Sequence, residues 1–392
     1  MKVMAVNAGS SSLKYKLFDM PSEAVICSGI IERIGSNEAE STIKFNDLKQ
    51  NDTLPILDHK HAVKVLLDDL IKYEIIKKYD EIQAVGHRVV QGGELFTKST
   101  LVNDDVIKKI TGLCDLAPLH NPAHLMGIAA FTNILPTVKQ AVIFDTTFHQ
   151  TMSKDAFMYA TPYEWYEKYG VRKYGAHGTS HDFVSKEIIK KLGNPTSSKV
   201  IVCHLGNGAS LCAVKDGISV DTSMGLTPLE GIPMGTRSGN VDPTVFGLIN
   251  SKENIDISEI LNVLNKASGY LGVSGISHDF RDLDAAIKNG SELAQLALDV
   301  QAKRIADYIG SYYVYMEGLD AIAFTAGIGE NAPLVRKLIC ERLKVLGVKI
   351  NHEINDVSRS QDIEISTDDS KVKVFVIPTD EEVVIARDTY NL

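Results

Sequence analysis

Apolar and polar positions alternate along this chain in short blocks, and the most informative block occurs twice. Val3 to Asp19 reads as an apolar strand, a turn of small residues around Gly9-Ser10-Ser11-Ser12, and a second strand. Val200 to Asp216 reads the same way, with Gly206-Asn207-Gly208-Ala209-Ser210 in the turn. Turns of Gly, Ser, Ala and Asn let backbone N–H groups approach a ligand closely, and anions are their natural guests. One copy is a hairpin and nothing more. Two copies, about half the chain apart, predict a duplicated fold with phosphate handled between the halves.

Elsewhere the pattern changes period. Residues 36–59 are polar and irregular and predict a hairpin excursion. Val63, Leu66, Leu67, Leu70 and Ile71 recur at helical spacing and predict a helix over 62–77. EIQAVGHRVV (81–90) and AVIFDTT (141–147) read as buried strands, the first running into Gln91-Gly92-Gly93 and the second ending at Asp145. The small-residue loop from Tyr174 to His181 opens a helix over 182–192, with Thr179 or Ser180 as N-cap and Gly193 as stop. A glycine-rich loop spans 224–242. Ser291 caps a long helix with Leu293, Leu296, Val300 and Ile309 facing inward. AIAFT (321–325) is a strand meeting Ala326-Gly327-Ile328-Gly329-Glu330-Asn331 and then a helix. A strand over 372–377, the turn Pro378-Thr379-Asp380-Glu381 and a short helix follow. Strands alternating with helices indicate an α/β chain.

Composition narrows the classes. A length of 392 residues predicts two domains, and 44% hydrophobic with 23% charged residues excludes a disordered chain. A net charge of −9 argues against nucleic acid, while a locally cationic site for a small anion stays open. No apolar run reaches membrane-spanning length, and the N-terminal apolar stretch, broken at Asn7, is too short for a secretory signal. The five cysteines form no C-x-x-C pair, which fits free thiols in a reducing cytoplasm.

Arg88 stands at a strand end before two glycines, and Arg237 lies inside Gly235-Thr236-Arg237-Ser238-Gly239. A guanidinium among glycines can grip a phosphate or carboxylate through parallel hydrogen bonds, or can be an ordinary ion-pair arginine. Asp145 at a strand end is placed for catalysis or for a turn. His177 precedes a helix N-terminus, where an anion is favoured, or serves the fold. The pairs His177/His181 and His120/His124 have metal-like spacing, but the glutamate of H-E-x-x-H is missing and Pro122 interrupts the second, which argues against zinc. Gly206-Asn207-Gly208 and Gly327-Ile328-Gly329 each follow an apolar strand and together look like two walls of a nucleotide site. Asp380, Glu381 and Glu382 either hold magnesium or form a solvated helix start.

Read in order, the strings VNAGSSSLKY, GHRVVQGGE, LAPLHNPAHLMGI, FDTTFH, YGAHGTSH, HLGNGASL, MGLTPLEGIPMGTRSG, TAGIGEN and PTDEE resemble the acetate kinase family, from residue 3 to about residue 388. That family belongs to the acetate and sugar kinase/Hsp70/actin superfamily. The resemblance implies two domains with a duplicated ribonuclease H-like core, an interdomain cleft and a homodimer. It sets the domains at 1–149 with 383–392, and 150–382. It implies reversible transfer of the ATP γ-phosphoryl group to a short carboxylate, with magnesium, or manganese in its place. By resemblance Asn7 and Glu381 match the metal positions, Arg88 the substrate arginine, and Asp145 a proton donor or acceptor. His177 and Arg237 match the transition-state stabilisers. Lys14, His204, Leu205, Gly206, Asn207, Gly208, Asp279, Phe280, Arg281, Gly327, Ile328, Gly329, Glu330 and Asn331 match the ATP contacts. Val90, Leu119, Ala176 and Pro228 fall where the family lines its acyl pocket.

A carboxylate acceptor with a pKa of roughly 4–5 is already ionised at neutral pH, so no general base is required. Asp145 is therefore expected to orient the metal, its waters or an arginine. The chain departs from the family pattern at Ala176, where phenylalanine is common, at Asn240, where aspartate is usual, and at Asp380, where asparagine is usual. His124 and His278 replace smaller polar residues. Ala176 opens the question of propionate against acetate.

Overall fold

A computed structural model describes residues 1–118 and 120–392, so Leu119 lies outside the described residues. The chain divides into two units, Met1–Gln150 with Asp380–Leu392, and Thr151–Thr379.

The first unit is built on a sheet of β1 (Lys2–Ala8), β2 (Ser12–Asp19), β3 (Ala24–Glu32), β4 (Ser36–Phe45), β5 (Leu48–Ile56), β6 (Ile82–Val89), β7 (Thr100–Leu101) and β8 (Lys139–Phe144). Its order is β5-β4-β3-β2-β1-β6-β8-β7. The second sheet holds β9 (Lys199–Leu205), β10 (Ala209–Lys215), β11 (Ile218–Thr222), β12 (Ala321–Thr325), β13 (Ile363–Glu364) and β14 (Lys373–Val376), in the order β11-β10-β9-β12-β14-β13.

The duplication extends well past the two hairpins. In the first unit β1 pairs antiparallel with β2 and parallel with β6, β2 pairs antiparallel with β3, β6 pairs parallel with β8, and β7 closes the edge antiparallel. The second unit repeats every sense: β9 with β10, β10 with β11, β9 with β12, β12 with β14, and β13 at the edge. The β4–β5 hairpin is the addition to the first unit.

Side-chain periodicity explains the layers. Met4 and Val6 of β1, and Leu13, Tyr15 and Leu17 of β2, point to one face at period two and share a core with Val63, Leu66, Leu67 and Leu70. These four lie on one stripe of the helix His59–Lys72. In the second unit β12 is buried at every position, as a strand covered on both faces must be.

The structure corrects several sequence expectations. The hairpin expected over 36–59 is present, but it consists of two regular strands over 36–56 rather than irregular chain, because Ala39, Ser41 and Ile43 alternate inward among polar neighbours. The first helix stops at Lys72 rather than 77, since Glu74 takes a left-handed φ of 57°. Ile71 falls off the buried stripe and is exposed. The helix expected from 182 starts at Gly178, with His177 as N-cap in place of Thr179 or Ser180, because the Ser180 hydroxyl is engaged elsewhere. Ser291 does cap the helix Glu292–Met316, but Leu293 and Leu296 face outward, and the inner stripe runs through Ala294, Ala297, Leu298 and Ile305. The segment Ala326–Asn331 is itself helical. The chain returns to the first unit at Asp380 rather than 383, because Asp380 caps the C-terminal helix Glu381–Asn391 and pairs with Lys16 of β2.

Candidate active site

In the first unit, parallel pairing brings three strand ends level. Asn7 is near the end of β1, Arg88 near the end of β6, and Asp145 directly follows β8, its N–H donating to the Val89 carbonyl at 2.9 Å. The Arg88 guanidinium grips Asp145 through Nε at 3.1 and 3.2 Å and through Nη2 at 2.5 Å. Its Nη1 donates to the Asn7 side-chain oxygen at 3.4 Å. Asp145 is fully buried. Burial works against the Arg88 charge, but Asp145, Glu381 and Glu382 outweigh it and raise its pKa. Asp145 thus holds the Arg88 guanidinium.

Glu381 opens the C-terminal helix and faces the same cluster: burial raises its pKa, Arg88 opposes this, and Asp145 adds to it. Its neighbours are tied down. Lys14 pairs with Glu382, and Lys16 reaches Asp380 at 3.0 Å and Glu382 at 3.3 Å. The reading of these acids as a solvated helix start is therefore wrong for Glu382, which is buried. Val90 is buried just beyond β6. Asn121 exchanges two hydrogen bonds with the Gln91 backbone, at 3.1 and 2.9 Å, and so braces the glycine pair after Arg88. His124 is buried nearby, and burial followed by Arg88 pushes its pKa down to about 3.

In the second unit the neutral and cationic groups gather. His177 holds a left-handed φ of 56°, a conformation histidine tolerates better than most side chains. Its Nδ1 lies 2.9 Å from the Ser210 hydroxyl, which also meets His181 Nε2 at 2.7 Å. The His177 ring stacks on His204 at 4.1 Å between centroids, and His204 Nδ1 is fixed by the Ser180 hydroxyl at 2.8 Å. A methyl group added at Gly208 would stand 3.3 Å from Arg237 Nη1 and 3.5 Å from His177 Nε2. Gly208 therefore lets these two side chains converge over the turn. Arg237 is half-buried, its Nη1 lies 3.8 Å from the Met234 sulfur, and burial lowers its pKa. Among the described residues no carboxylate pairs with it.

The Arg237 loop is stitched to its surroundings by its backbone. Tyr270 N–H donates to Met234 O at 2.9 Å and Ser268 N–H to Thr236 O at 2.9 Å. Gly269, at φ 60°, sits where a methyl group would be 2.1 Å from Met234 O.

A cavity of about 720 Å³ in the same unit is lined by Gly206, Asn207, Asp279, Phe280, Arg281, Gly327, Ile328 and Asn331, eight of the expected nucleotide contacts. That volume suits a ligand of nucleotide size. Arg281 folds onto Asp279, and this hydrogen bond brings the Asp279 carboxyl down to about 2. The other expected contacts lie outside the lining. Leu205 alternates into the core, and Gly329 gives its carbonyl to Arg336 at 2.9 Å. Glu330 bonds Ser360 and the Thr379 N–H, while His204 is buried on Ser180. Lys14 belongs to the first unit. Arg359 and Asp284 line the cavity but lie outside any motif that sequence reasoning singled out. Pro228 is half-buried, whereas Ala176 is part of the closed apolar core.

A profile of the Acetokinase family matches residues 2–387. The chain is 59% identical to the acetate kinase of Acholeplasma laidlawii (strain PG-8A), over 100% of this chain and 99% of that protein. The crystal structure of Porphyromonas gingivalis acetate kinase is similar with a TM-score of 0.94 at 43% identity, covering 100% of this chain and 99% of that one. A propionate kinase from Francisella tularensis subsp. tularensis SCHU S4 gives the same score, identity and coverage. Matched over nearly its whole length, the chain belongs to the acetokinase family.

Proposed function

We propose that this protein is an acetate kinase that transfers the γ-phosphoryl group of ATP to acetate, reversibly, giving acetyl phosphate and ADP. The observation that carries the reading is Arg237: a half-buried guanidinium with no carboxylate partner among the described residues, converging with His177 over Gly208. Such a cation is matched only when an anion arrives.

An acetate oxygen attacks the γ-phosphorus, a new O–P bond forms, and the bond to the β,γ-bridging oxygen breaks, leaving ADP. The moving group spreads charge over its oxygens, so positioning and cationic stabilisation do most of the work. Arg237 and the His177 Nε2 face that charge, and the stacking on His204 with the Ser210 contact fixes the imidazole. Arg88, aimed by Asp145, holds the acetate carboxylate. Asp145 needs no proton-transfer role, because the acceptor is already ionised. Gly206, Asn207, Gly327 and Asn331 receive the nucleotide, with Lys14 as a further phosphate contact. Val90, buried just beyond β6 in the same unit as Arg88, lies against the acyl group.

The Asn7 amide oxygen and the Glu381 carboxylate are hard oxygen donors, and Glu381 is half-buried with no ion pair among the described residues, which suits Mg²⁺ or Mn²⁺. When bound, the ion neutralises phosphate charge. The protein acts as a cytoplasmic homodimer on this reading. Exposed Leu293 and Leu296 supply apolar surface for a second copy, and the five cysteines are free.

A propionate kinase is the second reading, supported by the equal likeness to the Francisella enzyme. Hydroxylamine trapping with ATP, Mg²⁺ and acetate, propionate or butyrate separates the two. Acyl hydroxamate is expected, most rapidly with acetate; none from any acid with folded protein would refute the kinase reading.

A further inference from the structure

The C-terminal helix begins with three consecutive acids, and the structure treats the middle one differently. Asp380 uses one oxygen, Oδ1, for two tasks: it accepts from the Val383 N–H at 3.1 Å as the helix cap, and from Lys16 Nζ at 3.0 Å. Glu382 is held between Lys14 and Lys16. Lys14 and Lys16 are two apart on β2 and so emerge on one face of the sheet. That spacing matches Asp380 and Glu382, also two apart at the start of the helix. Glu381, between them, makes no ion pair among the described residues and lies in the field of Arg88 and Asp145.

We propose that Lys16 and Asp380 are positioning residues, an ion pair that fixes the first turn of the C-terminal helix and aims Glu381 toward the cation. Lys14 and Lys16 keep Glu382 out of the coordination shell at the same time. The cap explains why the pair acts on direction as well as on charge. Removing Asp380 frees the Val383 N–H and unwinds the turn that carries Glu381, while removing Lys16 leaves the Asp380 and Glu382 carboxylates repelling each other beside it. The proposal rests on the reading of Glu381 as the metal carboxylate.

The two possible actions of the pair predict opposite patterns. If Lys16 and Asp380 contributed only their fields, losing the lysine would tighten cation binding and losing the aspartate would weaken it. If they position Glu381, losing either weakens it. The test is Mn²⁺ titrated into the full-length protein with saturating ADP, free ion being read by electron paramagnetic resonance, with thermal melting of every variant. Lys16→Met and Asp380→Ala are each expected to raise the Mn²⁺ Kd roughly three- to tenfold, on the scale of a lost helix cap. The double variant Lys16→Gln/Asp380→Asn, a neutral hydrogen-bonded pair that still caps the helix, is expected to return to within about twofold of wild type. Turnover at saturating Mg²⁺ should fall in both single variants and recover in the double. Glu381→Gln is the control and should lose at least about tenfold in Mn²⁺ affinity. If it does and the single variants move in opposite directions, or neither moves, the positioning role is wrong and the metal assignment stands. If Glu381→Gln binds Mn²⁺ as wild type does, both fall together.

Discussion

The two units carry the same strand order and opposite electrostatics. At the strand ends of the first, charge is matched: Arg88 against Asp145, Lys14 against Glu382, Lys16 against Asp380. In the second, His177, His181 and His204 are held by serine hydroxyls, and Arg237 has no carboxylate among the described residues. A matched charge is an aiming device whose loss costs the fold. Burying an unmatched one is a burden on the fold, so its loss costs no stability, and the charge is available for a ligand. A duplicated scaffold thus separates holding from stabilising.

The contrast is broken most severely at Arg88. Arg88→Ala removes the guanidinium that grips the fully buried Asp145 and is expected to lower stability by about 3–5 kcal/mol in urea denaturation, along with activity. A stability change under about 1 kcal/mol would mean the pair is not structural. Gly269→Ala comes next, because its methyl group would meet Met234 O at 2.1 Å and displace the loop that presents Arg237. A loss in kcat of about 10²-fold is expected, the scale of a misplacement of about 1 Å at the reacting atoms, with nucleotide affinity preserved. Gly208→Ala is milder, since 3.3 Å to Arg237 Nη1 asks for a shift of tenths of an ångström; about tenfold in kcat is expected.

The first unit should also carry an acid limb. His87 is buried against Gln140 at 2.8 Å, and burial pushes its pKa down to about 4. A depressed histidine pKa stabilises the fold fully above the unfolded value of about 6.5, and that stability is lost as pH falls toward 4. About 3 kcal/mol should vanish across this window in urea titrations, and His87→Gln should flatten the slope. The smallest effect concerns Ala176. Its methyl group sits in the apolar core of the second unit, so Ala176→Phe should cost about 1–3 kcal/mol by overpacking and leave the propionate-to-acetate ratio of kcat/KM unchanged. A tenfold change in that ratio would return Ala176 to the acyl pocket.

The sequence made the duplicated core legible through the two small-residue turns, because a period-two apolar pattern and glycine content are local signals. It also led to Arg88, Asp145, His177 and Arg237, each marked by a strand end or a glycine-rich neighbourhood. What it hid depended on long-range partners. The Lys16–Asp380 pair joins residues 364 positions apart, and no local pattern announces it. His177 as a left-handed cap was obscured because Thr179 and Ser180 are better capping types, yet the Ser180 hydroxyl is committed to His204. The hairpin of β4 and β5 was expected, but its regularity was masked by polar residues on its solvent face.

The central claim is that Arg237 is kept unmatched for the phosphoryl group in flight. The direct test is Arg237→Ala, comparing kcat, ADP affinity by calorimetry and thermal melting with wild type. The account predicts kcat lower by about 10²–10³-fold, ADP affinity within about threefold and a melting temperature no lower than wild type. Unchanged turnover, or a loss of turnover matched by an equal loss of stability, would contradict it.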